Sequence, residues 1–373
     1  MSENSVNGPK PTLILDEVMS SQKDTSLQEF EPVKLVYDLL EDVDERARDI
    51  IIKRFGIDGD RPKTLENLGK SYGITRERVR QIESLTLKEL RSGPNADRIS
   101  KLGSLIHATL SAAGGVMEQE SLLTEMLGDE RSGDANRAAL LFLLNLSDEV
   151  EQFTEHANIR TVWASNRAAY DQLTTLLKQM QTIFETENKP LAWEALKGKI
   201  TQSTNTEAMR DDVLRTTLHT SKLIAENPFG EWGLTPWTEI VPKGVRDKAY
   251  LVLRKHAKPL HFLKITERIN ASRFDARKAF PQTVHNELIK DKRFVLVGRG
   301  IYALKEWGYV PGTVADVLTQ ILEEAGGPVG RAELLNEVLK RRMVKRNTVL
   351  IGLQDKSKFK RVDRRTYDLV SRA

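Results

Sequence analysis

With 373 residues, 39% hydrophobic and 29% charged, the chain is long enough for several small domains with modest cores and wide wet faces. It has no cysteine, which excludes disulfides, thiol nucleophiles, iron–sulfur clusters and the common structural zinc sites, and its six histidines are too scattered to suggest a metal centre. A net charge of +4 does not by itself mark a nucleic-acid binder. No apolar run reaches the ~18 residues of a bilayer span and no basic-then-apolar leader opens the chain, so a cytoplasmic protein without a membrane partner is expected.

Residues 1–30 are polar apart from the island Leu13-Ile14-Leu15, and a disordered arm is expected there. A helical pattern follows from Phe30 to Arg91, assigned to a domain over 31–93. Val36, Leu39 and Leu40 share one face, and Ala47, Ile50, Ile51 and Phe55 mark a second helix. Leu65 and Leu68 open a third helix that ends at Tyr72-Gly73. Thr75 can cap a fourth, with Val79, Ile82, Leu85 and Leu90 pointing inward. Two helices joined by a turn centred on Gly spell a helix-turn-helix.

Beyond Pro94 a new order of elements repeats at 97–165, 167–242, 244–310 and 311–373. Each stretch reads as helix, short strand, helix, helix and a two-stranded hairpin. A spacing of ~65–75 residues exceeds the usual solenoid period, so each is expected to be a small winged-helix domain. The hairpins are clearest in the last two repeats, at Phe294–Val297 with Ile301–Leu304 and at Phe359–Val362 with Thr366–Leu369. The fold class expected is mainly α, with short β-hairpin wings.

Several motifs mimic catalytic or cofactor sites and fail on context. Gly69-Lys70-Ser71 lacks the earlier Gly of a phosphate loop, since Thr64 stands there. Gly298-Arg299-Gly300 precedes a β-branched, aromatic run, where a dinucleotide fingerprint must open a helix. His256 and His261 are five apart, a poor spacing for one helical face. Glu187-Asn188-Lys189 has no acidic strand before it. No catalytic residue, metal, cofactor or small-molecule substrate is expected, and the chain is not expected to be an enzyme.

The run Thr64–Glu83, with Thr75-Arg76-Glu77-Arg78-Val79-Arg80-Gln81-Ile82-Glu83 at its centre, resembles region four of bacterial primary sigma factors. Glu45–Gly56 upstream and Leu87–Arg91 downstream extend the resemblance over about residues 33–92. Independently, inward Val79, Ile82 and Leu90 turn Arg76, Glu77, Arg80, Gln81, Ser84 and Lys88 outward. The N-terminal residues of a recognition helix enter the major groove, where Arg suits guanine, Gln adenine and Glu cytosine. Arg76, Glu77 and Gln81 are therefore the expected base readers, and they match the family's readers of the −35 promoter element. Thr64, Arg78, Arg80 and Lys88 are expected at phosphates, some of them alternatively at polymerase. A solvated charged helix face is the plain alternative. The resemblance further implies docking on the β-subunit flap of RNA polymerase through helices over Val33–Phe55. About thirty residues precede the module, without the family's promoter-melting region, so the chain is not expected to open promoters alone.

Lys258-Pro259-Leu260, Asp291–Gly298 and Ile301–Gly308 look like the HARE-type winged helix shared with the N-terminal domain of the RNA polymerase delta subunit. That family is associated with DNA or polymerase binding. The last repeat is locally basic from Lys340 to Arg365, including Arg341 and Arg342. Arg364 and Arg365, expected at its wing tip, are assigned to phosphate. Residues 116–156 are acid-rich and better suited to protein docking. The expected function is sequence-specific, promoter-type DNA binding in transcription initiation with RNA polymerase. A polymerase-docking scaffold without DNA readout, and a DNA-targeting subunit of a restriction or defence system, stand as alternatives.

Overall fold

A computed structural model describes Leu27 and residues 30–92, 94–156, 158–203 and 209–372. The expected N-terminal arm otherwise lies outside the described residues. Leu27 and Phe30 are buried, so packing begins inside the stretch expected to be an arm.

The helix-turn-helix region contains α1 (Pro32–Leu39), α2 (Glu45–Phe55), α3 (Leu65–Tyr72) and α4 (Arg76–Arg91). Pro32 suits the first helical turn, where its missing N–H costs nothing. Asp44 caps α2 by accepting from the amides of Arg46 and Ala47 at 3.1 and 3.2 Å.

Next come α5 (Ala96–Ala112), β1 (Val116–Glu118), α6 (Gln119–Leu127), α7 (Asp134–Leu146), β2 (Glu151–Phe153) and β3 (Val162–Ala164). α8 (Arg167–Glu187), β4 (Leu191–Ala192), α9 (Trp193–Ser203), α10 (Asp211–His219), β5 (Ile224–Glu226) and β6 (Glu231–Leu234) follow. The third repeat holds α11 (Val245–His256), β7 (Leu260–His261), α12 (Phe262–Ala271), α13 (Pro281–Lys290), β8 (Phe294–Gly298) and β9 (Ile301–Leu304). The fourth holds α14 (Val314–Ala325), β10 (Val329–Gly330), α15 (Arg331–Arg341), α16 (Arg346–Gly352), β11 (Phe359–Arg361) and β12 (Thr366–Leu369). The described residues are thus mainly α-helical with small antiparallel sheets. Every sheet has three strands in the same order, the first strand and the second each pairing with the third.

The chain divides into two compact units, one of residues 1–187 with 197–224, the other of 188–196 with 225–373. The boundary between them falls inside the stretch 167–242. Within the first unit α8 and α10 both lie against β1.

The core of the first unit is continuous from the helix-turn-helix into the repeat that follows. α7 carries the apolar run Ala138-Ala139-Leu140-Leu141-Phe142-Leu143-Leu144 and is buried on nearly all sides. Val36, Leu39 and Leu40 of α1 join this core, and Phe55 meets Phe142 edge to face at 4.9 Å. Arg91, at the end of α4, donates to the carbonyls of Asn145 and Leu146 at 2.8 and 3.2 Å.

In the second unit the third and fourth repeats have separate small cores. The β8–β9 hairpin shows the two-residue period of a strand buried on both faces. Phe294, Tyr302 and Leu304 face the helices, while Val295, Val297 and Ala303 lie under Trp307 and Tyr309.

Candidate nucleic-acid interface

The helix-turn-helix is set by a few short-range contacts. The Thr64 hydroxyl accepts from Asn67 N–H at 3.2 Å and starts α3, and Thr75 does the same for α4 through Arg78 N–H at 3.2 Å. Gly73 ends α3 in the left-handed region at φ 64°. Gly69 serves close approach: a Cβ there would stand 2.8 Å from the Ile74 carbonyl and 3.3 Å from Arg76 N. The Gly-Lys-Ser sequence is thus a helix-packing feature on α3. Gly298–Ala303 likewise belongs to the β8–β9 hairpin, and His261 caps α12 through its Nδ1, which accepts from Leu263 N–H at 3.3 Å.

A small core of Ile50, Leu68 and Val79 joins α2, α3 and α4. Around it, Arg54 holds Glu83 of α4 at 3.3 Å and Arg46 donates to the Tyr72 carbonyl at 2.8 Å. Lys53 reaches Asp49 at 2.8 Å and the Tyr72 hydroxyl at 3.2 Å, and that hydroxyl also donates to Asp49. Burial pushes the Tyr72 phenol up, reinforced by Asp49. Burial also opposes ionisation of Asp49, but hydrogen bonds from Lys53 and Tyr72 outweigh it and hold the carboxyl below its ordinary range. α2 is therefore tied by polar contacts both to α3, through Tyr72, and to α4, through Glu83.

On the opposite face, Arg76, Glu77, Arg78, Arg80, Gln81, Ser84 and Lys88 are all exposed, and Thr64 is exposed at the start of α3. Four of these make pairs with one another. Arg80 grips Glu77 in a fork at 2.9 and 2.6 Å, and Arg78 donates to Gln81 at 3.2 Å. The hydrogen bond from Arg80 holds the Glu77 carboxyl below its ordinary range. Such exposed pairs are weak in water and can exchange partners at a charged surface. Among the described residues Arg76 and Lys88 make no ion pair, which leaves their charge uncompensated.

Leu85 departs from expectation. It is 62% exposed, on the wet side of α4 rather than in the core. The inward line runs through Val79, Thr86 and Leu90, and Leu85 lies one residue before Thr86, ~100° around the helix.

The α1–α2 surface assigned to polymerase contact is partly covered. Val36, Leu39 and Leu40 are filled by the protein's own α7, which leaves mainly polar positions of α1 at the surface.

The fourth repeat is less uniformly available than its charge run suggested. Arg342 is buried, with its guanidinium donating to the carbonyls of Leu296 at 2.9 Å and of Gly312. Burial lowers its pKa from the ordinary arginine value. Arg341 pairs with Glu324 at 2.8 Å, Lys340 with Glu337 at 2.7 Å and Lys358 with Asp316 at 3.1 Å. Arg361 donates to the wing's own carbonyls at Asp363 and Arg364. Arg364 and Arg365 do lie exposed in the turn between β11 and β12. Lys345, Arg346 and Lys356 are exposed and make no ion pair among the described residues. The buried role of Arg342 was not legible locally, because its partners lie 30 and 46 residues away in sequence.

Comparison with known proteins agrees with the geometry of this segment. Residues 39–92 match the family model described as Sigma-70, region 4. The chain is also 44% identical over 62 residues to the RNA polymerase sigma factor SigA of Bacillus sp. That alignment covers 17% of this chain and 16% of that protein, so the likeness is confined to one module. Residues 39–92 therefore hold a sigma region-four-type helix-turn-helix, inside a chain most of which lies outside the match.

Proposed function

We propose that the chain is a sigma-like, sequence-specific DNA-binding protein that acts in transcription initiation or its regulation with RNA polymerase. The observation that carries this reading is the exposed face of α4, with Arg76, Glu77 and Gln81 in its first two turns on a scaffold braced by α2 and α3. These three read bases of a −35-type element in the major groove, and Thr64, Arg78, Arg80 and Lys88 position the duplex through its phosphates. No catalytic step is involved.

The four helix–strand–helix–helix–hairpin repeats are read as winged helices, the third of HARE type, with domains at 97–165, 167–242, 244–310 and 311–373. Their common strand order supports this. Arg364 and Arg365 at the last wing tip contact phosphate. Contact with polymerase uses the polar surface of α1 and α2, since much of the apolar face of α1 is occupied by α7.

Equilibrium binding to a duplex carrying a −35-type hexamer and to its scrambled version, at two salt concentrations, tests the reading. A preference that survives higher salt supports base readout. Equal affinities that both collapse with salt leave phosphate binding alone. Absence of binding, together with capture of an isolated polymerase flap, favours a docking scaffold.

A further inference from the structure

The third and fourth repeats end in hairpins of matching register. Phe294 stands opposite Leu304 in β8–β9, and Phe359 stands opposite Leu369 in β11–β12. Leu296 and Arg361, each two residues further on, are therefore equivalent positions. β8 and β11 are also the outer strands of their sheets.

The two outer edges are used differently. In the third repeat the chain itself takes the edge. The Leu296 carbonyl accepts from the Arg342 guanidinium at 2.9 Å, and the next carbonyl, of Val297, accepts from Met343 N–H at 3.1 Å. Around β11 the inward ladder bonds run from Val370 N–H to the Lys358 carbonyl at 3.0 Å and from Val362 N–H to the Thr366 carbonyl at 3.1 Å. Alternation along an antiparallel strand turns the N–H and C=O of Arg361 the other way, off the sheet. Neither makes a hydrogen bond among the described residues. The Arg361 guanidinium is committed to the carbonyls of Asp363 and Arg364 at 2.8 and 2.6 Å, and Val362 beside it is 52% exposed.

The surroundings are cationic. Lys356 precedes β11 and Lys360 lies within it, and neither makes an ion pair among the described residues. The adjacent acids are held in local turns. Asp355 accepts from Ser357 N–H at 3.0 Å, and Asp363 accepts from the amides of Arg365 and Thr366 at 2.6 and 3.0 Å. Cations beside an unpaired edge oppose pairing with a neutral or basic strand, a common defence against aggregation. They do not oppose an acidic one.

We propose that the outer edge of β11 is a docking site for an extended, acidic segment of another protein, which adds a strand to this sheet. The Arg361 backbone supplies one donor and one acceptor, Lys356 and Lys360 supply charge, and Val362 supplies an apolar contact. The edge of β8 is the precedent within the same chain, since it already takes a backbone N–H from outside its own sheet. A peptide satisfies both the N–H and the C=O of Arg361, whereas a phosphate can only accept. The site shares no residue with the exposed face of α4, so either reading can fail without the other.

The test uses the full chain and a hexapeptide alternating Val and Glu. An all-Glu hexapeptide is the charge control and a short DNA duplex the nucleic-acid control. The Val–Glu peptide should bind more tightly than the all-Glu peptide and slow hydrogen exchange at the Arg361 amide of the wild type, a readout that depends on no variant. Arg361→Pro removes the outward N–H without removing an inward ladder bond and should weaken binding about tenfold or more. Arg361→Ala keeps that N–H and should stay within about threefold of the wild type. Lys356→Gln with Lys360→Gln should weaken binding and flatten its salt dependence. An unchanged thermal melt verifies folding of each variant. Failure of the Val–Glu peptide to bind would overturn the proposal, as would equal binding of the two peptides. A loss in Arg361→Ala as large as in Arg361→Pro, or equal protection of the Arg361 amide by the duplex, would overturn it too.

Discussion

The region-four-type module and the third repeat both present an exposed helix on a trihelical scaffold, but they are built in opposite ways. α4 carries charges of both signs, but on its exposed face only Arg80 and Glu77 form an ion pair with each other, and its module shares a core with the repeat behind it. α13 carries neutral amides among cations that make no ion pair among the described residues, on a small core of its own. On our reading the first arrangement favours choice between sequences, through side chains that reach base edges. The second favours attraction to a polyanion irrespective of its sequence. A net charge near balance is thus compatible with strong local attraction when the two signs are segregated along the chain.

The comparison can be broken most forcefully at the shared core. Phe142→Ala removes a fully buried ring that touches Phe55 and should cost about 3–5 kcal/mol. Chemical denaturation should show α1–α4 and α5–α7 losing stability together. Separate transitions would show that the core is not shared. Arg342→Leu removes buried charge-assisted hydrogen bonds to the carbonyls of Leu296 in the third repeat and Gly312 in the fourth, and should cost about 2–4 kcal/mol. Hydrogen exchange should place that loss in residues 294–353 and leave the first unit unaffected. Single alanines at Arg76, Glu77 and Gln81 should each reduce binding to the preferred duplex by about 1–3 kcal/mol, with a smaller loss on scrambled DNA. Thr75→Ala, which removes the cap of α4, should cost about 1 kcal/mol of stability.

The smallest effect is a pH dependence confined to the fourth repeat. The Thr313 amide and hydroxyl, with Lys358, hold the Asp316 carboxyl at about 2, below its ordinary value of 3.8. A depressed carboxylate stabilises the folded state above the unfolded value and loses that contribution as pH falls through the folded one. The stability difference between the wild type and Asp316→Ala should therefore shrink between pH 4 and 2. A constant difference would assign the effect to the cap's geometry alone.

Much of the helix-turn-helix was legible because its determinants are local. Thr64, Gly73, Thr75 and the spacing of Leu68 and Val79 act within a few residues of themselves. The hairpin at Phe294–Leu304 was legible for the same reason, since its turn glycines and alternating apolar residues are adjacent. Two features were not. Leu85 fits a helical apolar pattern by spacing, yet the core has no partner at that angle. Arg342 reads as one more cation in a basic run until the carbonyls of Leu296 and Gly312 are brought to it. The basic character of the third repeat was present in the sequence throughout. A balanced total charge masks it, because the acidic excess of residues 1–242 offsets the basic excess of 243–373.

The central claim is that Arg76, Glu77 and Gln81 supply sequence choice for the N-terminal module. The most direct measurement is the ratio of affinities for a −35-type duplex and its scramble, in the wild type and in the Arg76→Ala, Glu77→Ala, Gln81→Ala variant, at one fixed salt concentration. The account expects a ratio well above one in the wild type, falling to near one in the variant while binding to the scramble persists. A ratio that is the same in both proteins would contradict it.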